Sequence, residues 1–508
     1  MRRLLTVLIS VVFMVGCGGG SGSSSPPEPS VAQRAPLIST FSFLAENNAD
    51  LDADVTLTIS GSIIAGRIPT NISVTDLIAS FQHSGSSVSI TSIEQQSGST
   101  SNDFSTILTY TANGSDGQTA DYQVDLTRFT GLPVVYLSTE FFAAIDSKED
   151  YVLGEVSIDG GRHFDNVAPI GMKIRGRGNS TWFLHPKKPF QMKLDDKAEF
   201  LGMPNDKKWL FLAEYSDKTM LRNKISFEMG YISSLDWTPQ GRFAEVYIND
   251  EYNGTYNITQ KVEESDNRVA LGDTGYLLEL DQFDRLDVDD VYFESTATDK
   301  FWVNIKEPSL ALNSDEYIYI KELIGRFESA LYGANFTSNT EGYAKYIDVD
   351  SFVDWYLISE ITKNVDSQFY SSIFLNVLPG EKIKMGPLWD FDLSFGNVDY
   401  ADSRYAEGWW VRYHPWYERL FQDPSFVAKV KRRFAYFRAN QESILDKVDA
   451  YAMQLQWAQR ENDNKWQTLG MYVWPNPIVF DTYQEEVDHM KSWYISRMDW
   501  LDDSYERL

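Results

Sequence analysis

Between residues 37 and 129 the chain alternates apolar and polar residues in short runs. Examples are Val55-Thr56-Leu57-Thr58-Ile59, Ser87-Val88-Ser89-Ile90 and Ile107-Leu108-Thr109-Tyr110. Turn chemistry separates them, at Gly61, Asn113-Gly114 and Asp116-Gly117. A period of two with turns at this spacing predicts a small all-β sandwich of the Ig-like kind over 37–130, serving as a spacer. From Leu132 the residues become larger. Val134-Val135-Tyr136-Leu137, Met172-Lys173-Ile174-Arg175, Phe190-Gln191-Met192-Lys193-Leu194 and Ala244-Glu245-Val246-Tyr247-Ile248 read as strands. Helical periodicity then dominates, over 219–232 with Asp217 as the N-cap, over 315–331, over 349–364, and from Pro424 onward. Strands followed by helices predict an α+β domain of two lobes over 131–508.

The N-terminus carries a different pattern. Arg2 and Arg3 precede an apolar stretch over 4–15 that is too short for a comfortable membrane span. A basic start, a short apolar run and a small residue describe a secretory signal. Met14-Val15-Gly16-Cys17 resembles a bacterial lipoprotein box, which makes residues 1–17 a lipoprotein signal peptide with its lipobox and Cys17 the lipid-modified first residue of the mature chain. Gly18 follows Cys17, where an Asp would retain a lipoprotein in the inner membrane. The Gly/Ser/Pro segment 18–36 reads as a tether. The expected location is the cell envelope, at the outer membrane or cell surface, with this lipid as the sole membrane contact and the protein a monomer.

Composition removes several classes. Asp plus Glu is 73 against 45 Lys plus Arg, a formal net charge of −28, which disfavours nucleic acid as a partner. One cysteine excludes a disulfide scaffold and a Cys-based metal site. The five histidines show no i,i+3 or i,i+4 pairing, so a His-built metal site is not expected.

Four stretches carry candidate chemistry. In Arg175-Gly176-Arg177-Gly178-Asn179-Ser180-Thr181, two glycines let the backbone approach a ligand, and the arginines, amides and hydroxyls can hold phosphate oxygens. In Lys187-Lys188-Pro189-Phe190-Gln191-Met192-Lys193, a strand lysine could reach the same phosphates, although a tight turn with surface basic residues fits equally. Asp217 with Leu221-Arg222-Asn223 reads as a capped helix start. Asn364-Val365-Asp366 and Trp389-Asp390-Phe391-Asp392 flank a hairpin turning at Gly380-Glu381, so their acids can face one cleft. Phosphoryl transfer uses such a pair, one carboxylate orienting the attacking hydroxyl and another holding Mg²⁺. Protein kinases place an Asn five residues after the first Asp and a Gly two after the second; here those positions are Ser371 and Asp392.

These motifs, in this order, with Tyr247-Ile248-Asn249 and Tyr252-Asn253-Gly254 between them, resemble the CotH family of spore-coat protein H kinase-like proteins from about residue 132 to the end. The resemblance implies an atypical kinase-like fold and transfer of phosphate from ATP to Ser or Thr of a protein substrate with Mg²⁺ or Mn²⁺. By motif, Asp366 is the implied catalytic residue. Asp390, Asp392 and Ser371 are the implied metal ligands. Arg175, Arg177, Asn179, Ser180 and either Lys188 or Lys193 are the implied nucleotide contacts. Ser371 stands where many members have Asn and Gln260 where many have Glu. Glu228 is the candidate partner for the lysine. The alternative is a catalytically impaired protein of the same fold acting in binding, adhesion or envelope structure. Trp409-Trp410-Val411-Arg412-Tyr413-His414-Pro415-Trp416 motivates it, if those aromatics face solvent rather than pack.

Overall fold

A computed structural model describes residues 35–161, 163–297 and 300–508. The signal segment, Cys17 and nearly all of the tether lie outside these residues. The chain divides into two compact units, one of residues 35–68 and 72–127, the other of Pro69–Asn71 with Arg128–Leu508. Among the described residues no helix is long and apolar enough to cross a membrane.

The smaller unit is all β. One sheet orders Val55–Thr56, Ile38–Phe43 and Ser80–His83; a second has six strands with Leu108–Asn113 and Thr119–Phe129 at its centre. Alternation in Ile38–Phe43 turns Phe41 and Phe43 inward. There they meet Tyr110 and Phe104 edge-on at 5.1 and 5.0 Å, so residues of both sheets share one core.

The larger unit mixes β and α structure. Its first part, where a kinase-like lobe is expected, is a closed barrel of seven strands: Val134–Thr139, Val152–Asp159, Val167–Gly176, Phe190–Phe200, Met203–Leu212, Glu251–Gln260 and Gly241–Ile248. Neighbours pair antiparallel except the closing pair, Val134–Thr139 with Gly241–Ile248, which is parallel. Phe190, Met192 and Leu194 point into the barrel with Ile174, Trp209 and Ile258. A five-stranded sheet follows, ordered Tyr292–Glu294, Trp302–Glu307, Tyr276–Asp281, Ile373–Val377 and Lys384–Met385.

Helices complete this unit. Asp315–Tyr332 is amphipathic and is capped by Ser314, whose hydroxyl accepts from Tyr317 N at 3.2 Å. Val349–Thr362 is buried at every position from 351 to 362, so it has no solvent-exposed face, and its buried polar residues include Asp354 and Glu360. It stops two residues before the expected end because Lys363 adopts a left-handed conformation, φ 45°. Arg222–Tyr231 begins three residues later than expected. Asp217 serves it from outside the cap position, its carboxylate accepting from Thr219 N at 3.2 Å and Arg222 N at 2.8 Å. The C-terminal segment forms Pro424–Ala439, Gln441–Leu455, Ala458–Trp466 and Tyr483–Glu506.

Candidate active site

The strand Val167–Gly176 ends at one rim of a cavity of about 970 Å³. A Cβ at Gly176 would lie 2.2 Å from the Trp182 ring, and Gly178 sits at φ +86°, so both glycines are demanded by the turn. The turn delivers Arg177, Asn179, Ser180 and Thr181 to the cavity wall, with Arg175 just before them. Arg175 donates to Lys148 O at 2.5 Å and stacks over Tyr151, while its Nε is buried without a partner among the described residues. Lys148 donates to Asn179 Oδ1 at 3.2 Å. The Arg177 guanidinium lies over Trp389, 5.5 Å from the ring centre, facing Asp390 and Asp392. Burial pulls its pKa down, and those two carboxylates oppose the pull.

The acids enter on two turns. The left-handed Lys363 swings the chain out of its helix into Asn364 and Asp366, and the Lys363 ammonium is held by the carbonyls of Asp402, Tyr405 and Glu407. Asn364 joins the turns directly, its Nδ2 donating to Asp390 O at 3.0 Å. Asp390 is itself left-handed at φ +66°, a strained state for a residue with a Cβ. Phe391 N donates to Asn223 Oδ1 at 2.7 Å, and Ser372 Oγ donates to Asp390 Oδ2 at 3.2 Å. Asn223 in turn donates to both oxygens of the buried Glu214, at 3.2 and 3.3 Å. Next to it, buried Arg222 pairs with buried Asp217 and donates to Ser394 O at 3.0 Å. The Asp217–Asn223 motif therefore anchors the Asp390 turn as well as starting a helix.

Crowded carboxyls in a poorly hydrated cavity resist ionisation. Burial, with Asp390 next in weight, pushes Asp366 up to about 7. Burial and Asp390 push Asp392 well above the usual range. Burial also raises Glu279 to about 7, although Lys306 stands 3.3 Å away. Among the described residues no three His, Cys, Asp or Glu side chains are grouped to hold a metal alone. The donor set nonetheless suits Mg²⁺, which is commonly held by one or two carboxylates with phosphate oxygens supplying the rest.

Two expected contacts are corrected. Lys193 pairs across strands with Lys173 and Lys208, outside the barrel, because Met192 and Leu194 take the interior. Lys188 donates to Trp182 O and stacks on that indole. Neither lysine lines the cavity. Glu228 turns to Tyr451 and Lys447. Gln260 holds Gln240 N at 3.0 Å. Ser371 lines the cavity, but its hydroxyl already accepts from Arg285 Nη1 at 2.6 Å.

The tryptophans of the 409–416 run pack, while Tyr413 stays exposed. Trp416 is fully buried among Phe301, Phe327 and Phe369. Trp410 N, Val411 N and Arg412 N converge on the Glu360 carboxylate at 2.6 to 3.1 Å, and the Trp410 indole donates to Asn364 O at 2.7 Å. Glu279, Asp281 and Arg285 are among the cavity residues that escaped the sequence reading, as are Lys148, Glu149 and Asp287. The signal was present, since Leu278-Glu279-Leu280-Asp281 puts two acids on one face of an otherwise apolar strand.

No curated protein matches the chain. Among solved structures, one provisionally described as a glycoside hydrolase from Bacteroides thetaiotaomicron aligns at 13% identity over 58% of this chain and 87% of its own. Its TM-score of 0.17 is too low to carry an argument. The family profile described as CotH kinase protein matches residues 174–501, from the strand that leads into the Arg177 turn to the last helix. That span holds both acidic turns and exceeds half the chain, so the protein belongs to the CotH family.

Proposed function

We propose that the larger unit is a kinase-like phosphotransferase whose barrel and helical parts act as two lobes around the cavity. It moves the terminal phosphoryl group of ATP to a Ser or Thr hydroxyl of a protein. The observation that carries this is the convergence of Asp366, Asp390, Asp392 and Arg177 in one cavity from three separate segments. ATP with a divalent cation supplies the phosphoryl group and neutralises its charge when bound. Asp390 and Asp392 are the residues to hold the cation. Arg177 and Arg175, with Asn179, Ser180 and the turn amides, are placed to bind phosphate oxygens. Asp366 orients the acceptor hydroxyl and takes its proton at a carboxylate oxygen; a pKa near 7 suits that exchange at neutral pH. Lipidation at Cys17 would tether the enzyme to the envelope, and Cys17→Ser should move it from the membrane to the soluble fraction.

The test is transfer from labelled ATP to a Ser/Thr-containing protein mixture with Mg²⁺ or Mn²⁺. Wild type should label acceptors, and Asp366→Ala and Asp390→Ala should not. Equal labelling by all three proteins refutes the assignment. Asp366→Ala should keep a nucleotide-dependent thermal shift, while Asp390→Ala should lose the part that requires metal.

A further inference from the structure

Arg285 reaches the cavity from the short turn Phe283–Arg285, which follows the strand carrying Glu279 and Asp281. Its Nη1 donates to Ser371 Oγ at 2.6 Å, and its guanidinium stacks on Tyr370, 4.9 Å from the ring centre. The Ser371 hydroxyl also lies 3.4 Å from Ser372 Oγ, and Asp281 lines the same cavity. Asp366 and Asp281 both feel the positive charge of Arg285. Two carboxylates, Asp281 and Asp366, and the Ser371 hydroxyl therefore line one cavity with a guanidinium. These are oxygen donors of the kind a hard divalent ion takes. The fixed fork of Arg285 lines the same cavity and is anchored there on Ser371.

We propose that Arg285 is a built-in cation that takes the place of a second divalent ion, so that the site works with one metal, held on the Asp390–Asp392 side. This rests on the phosphotransferase reading given above. Arg285 is then a positioning residue for Asp366 through Ser371, whose N donates to Asp366 O at 3.4 Å, and Ser371 is not a metal ligand.

The experiment counts bound Mn²⁺ by electron paramagnetic resonance of the free ion, on the full soluble chain with a non-hydrolysable ATP analogue present. Tryptophan fluorescence confirms folding of each variant. Wild type and Arg285→Lys should bind one Mn²⁺ per chain, and Arg285→Gln should bind two. Two ions in wild type, or one in folded Arg285→Gln, overturns the proposal. Ser371→Asn guards against failure of Arg285→Gln to fold: it adds a carbonyl ligand while keeping Arg285 and should stay at one ion, whereas a second ion there overturns the proposal. No Mn²⁺ bound by wild type refutes the phosphotransferase reading itself, and the built-in cation falls with it.

Discussion

Replacing Asp366 with Asn should stabilise the metal-free protein at neutral and alkaline pH while abolishing transfer. The reasoning starts from its carboxyl, raised from 3.8 to about 7 by burial and by Asp390. The folded state thus holds this proton more tightly than the unfolded chain does. Stability from that preference is fully present below pH 4 and is lost as pH rises through 7, where a buried charge must be accepted. A rise from 3.8 to about 7 corresponds to roughly 4 kcal/mol. Because the carboxyl borders the open cavity, about 2 kcal/mol is the working figure. Asn has nearly the same shape and no charge at any pH. The variant's advantage should be near zero at pH 4, grow between pH 4 and 7, and level off above pH 7.

The assay is denaturant unfolding in EDTA across pH 4.5 to 8.5, followed by tryptophan fluorescence. All 14 tryptophans lie at or beyond residue 182, so the signal reports only the larger unit. For about 380 residues, 2 kcal/mol is worth about 2 to 3 °C in melting temperature at pH 8. Glu279 titrates in both proteins and cancels in the difference, whereas Asp392, which the Asp366 charge also pushes up, is relieved in the variant and adds to its advantage above neutral pH. An advantage that is flat with pH, or wild type gaining on the variant as pH rises, refutes the reasoning.

Other consequences are direct. Arg177→Gln should weaken ATP-analogue binding by roughly tenfold or more, since a charge-assisted phosphate contact is worth about 1.5–3 kcal/mol, whereas Lys193→Gln and Lys188→Gln should change it less than twofold; isothermal titration separates them. Asn223→Ala leaves the buried Phe391 N–H without its partner and takes from Glu214 the amide that bonds both its oxygens, Asn257 remaining at 3.4 Å, and should cost about 2–4 kcal/mol in denaturant unfolding, with transfer reduced beyond what lower stability explains because the Asp390 turn loosens. Arg497→Met removes the buried counter-charge of Glu360, whose carboxylate keeps the backbone N–H groups of Trp410, Val411 and Arg412, and should cost about 3–5 kcal/mol by the same measurement.

What was legible in the sequence was local. Phe190-Gln191-Met192-Lys193-Leu194 announces a strand because one face must be apolar, and the acids of Asp366 and Asp390 stand out beside apolar runs. The same strand misleads about Lys193, because alternation states that it lies opposite Met192 but not which side is interior. That is decided by barrel closure between Val134–Thr139 and Gly241–Ile248, a pairing across more than a hundred residues. Asp281 and Arg285 join Ser371 only because Tyr276–Asp281 pairs with Ile373–Val377, far along the chain. Buried charges were hidden for a related reason. Arg222, Asp217, Glu360 and Arg497 look like surface residues until their partners are known, and each is buried because it is paired.

The arrangement of these buried pairs explains how the acidic cavity keeps its shape. Asp366, Asp390 and Asp392 repel one another when ionised, and the repulsion acts to spread the two turns apart. Groups that do not enter the chemistry resist it from two directions. From the barrel side, Glu214 and Asn223 hold Phe391 N and hence the turn of Asp390. From the last helix, Arg497 holds Glu360, Glu360 holds the backbone of Trp410, and the Trp410 indole holds Asn364 O. The Asn364 amide then ties the turns together at Asp390 O. Phe369, Ser372, Asp390 and Phe395 are all left-handed here, so backbone strain collects at the same place as the charge. A site clamped in this way is prepaid in stability: a divalent cation that binds between the carboxylates relieves repulsion without having to assemble the turns. The clamps should therefore govern metal affinity although none of them is a ligand.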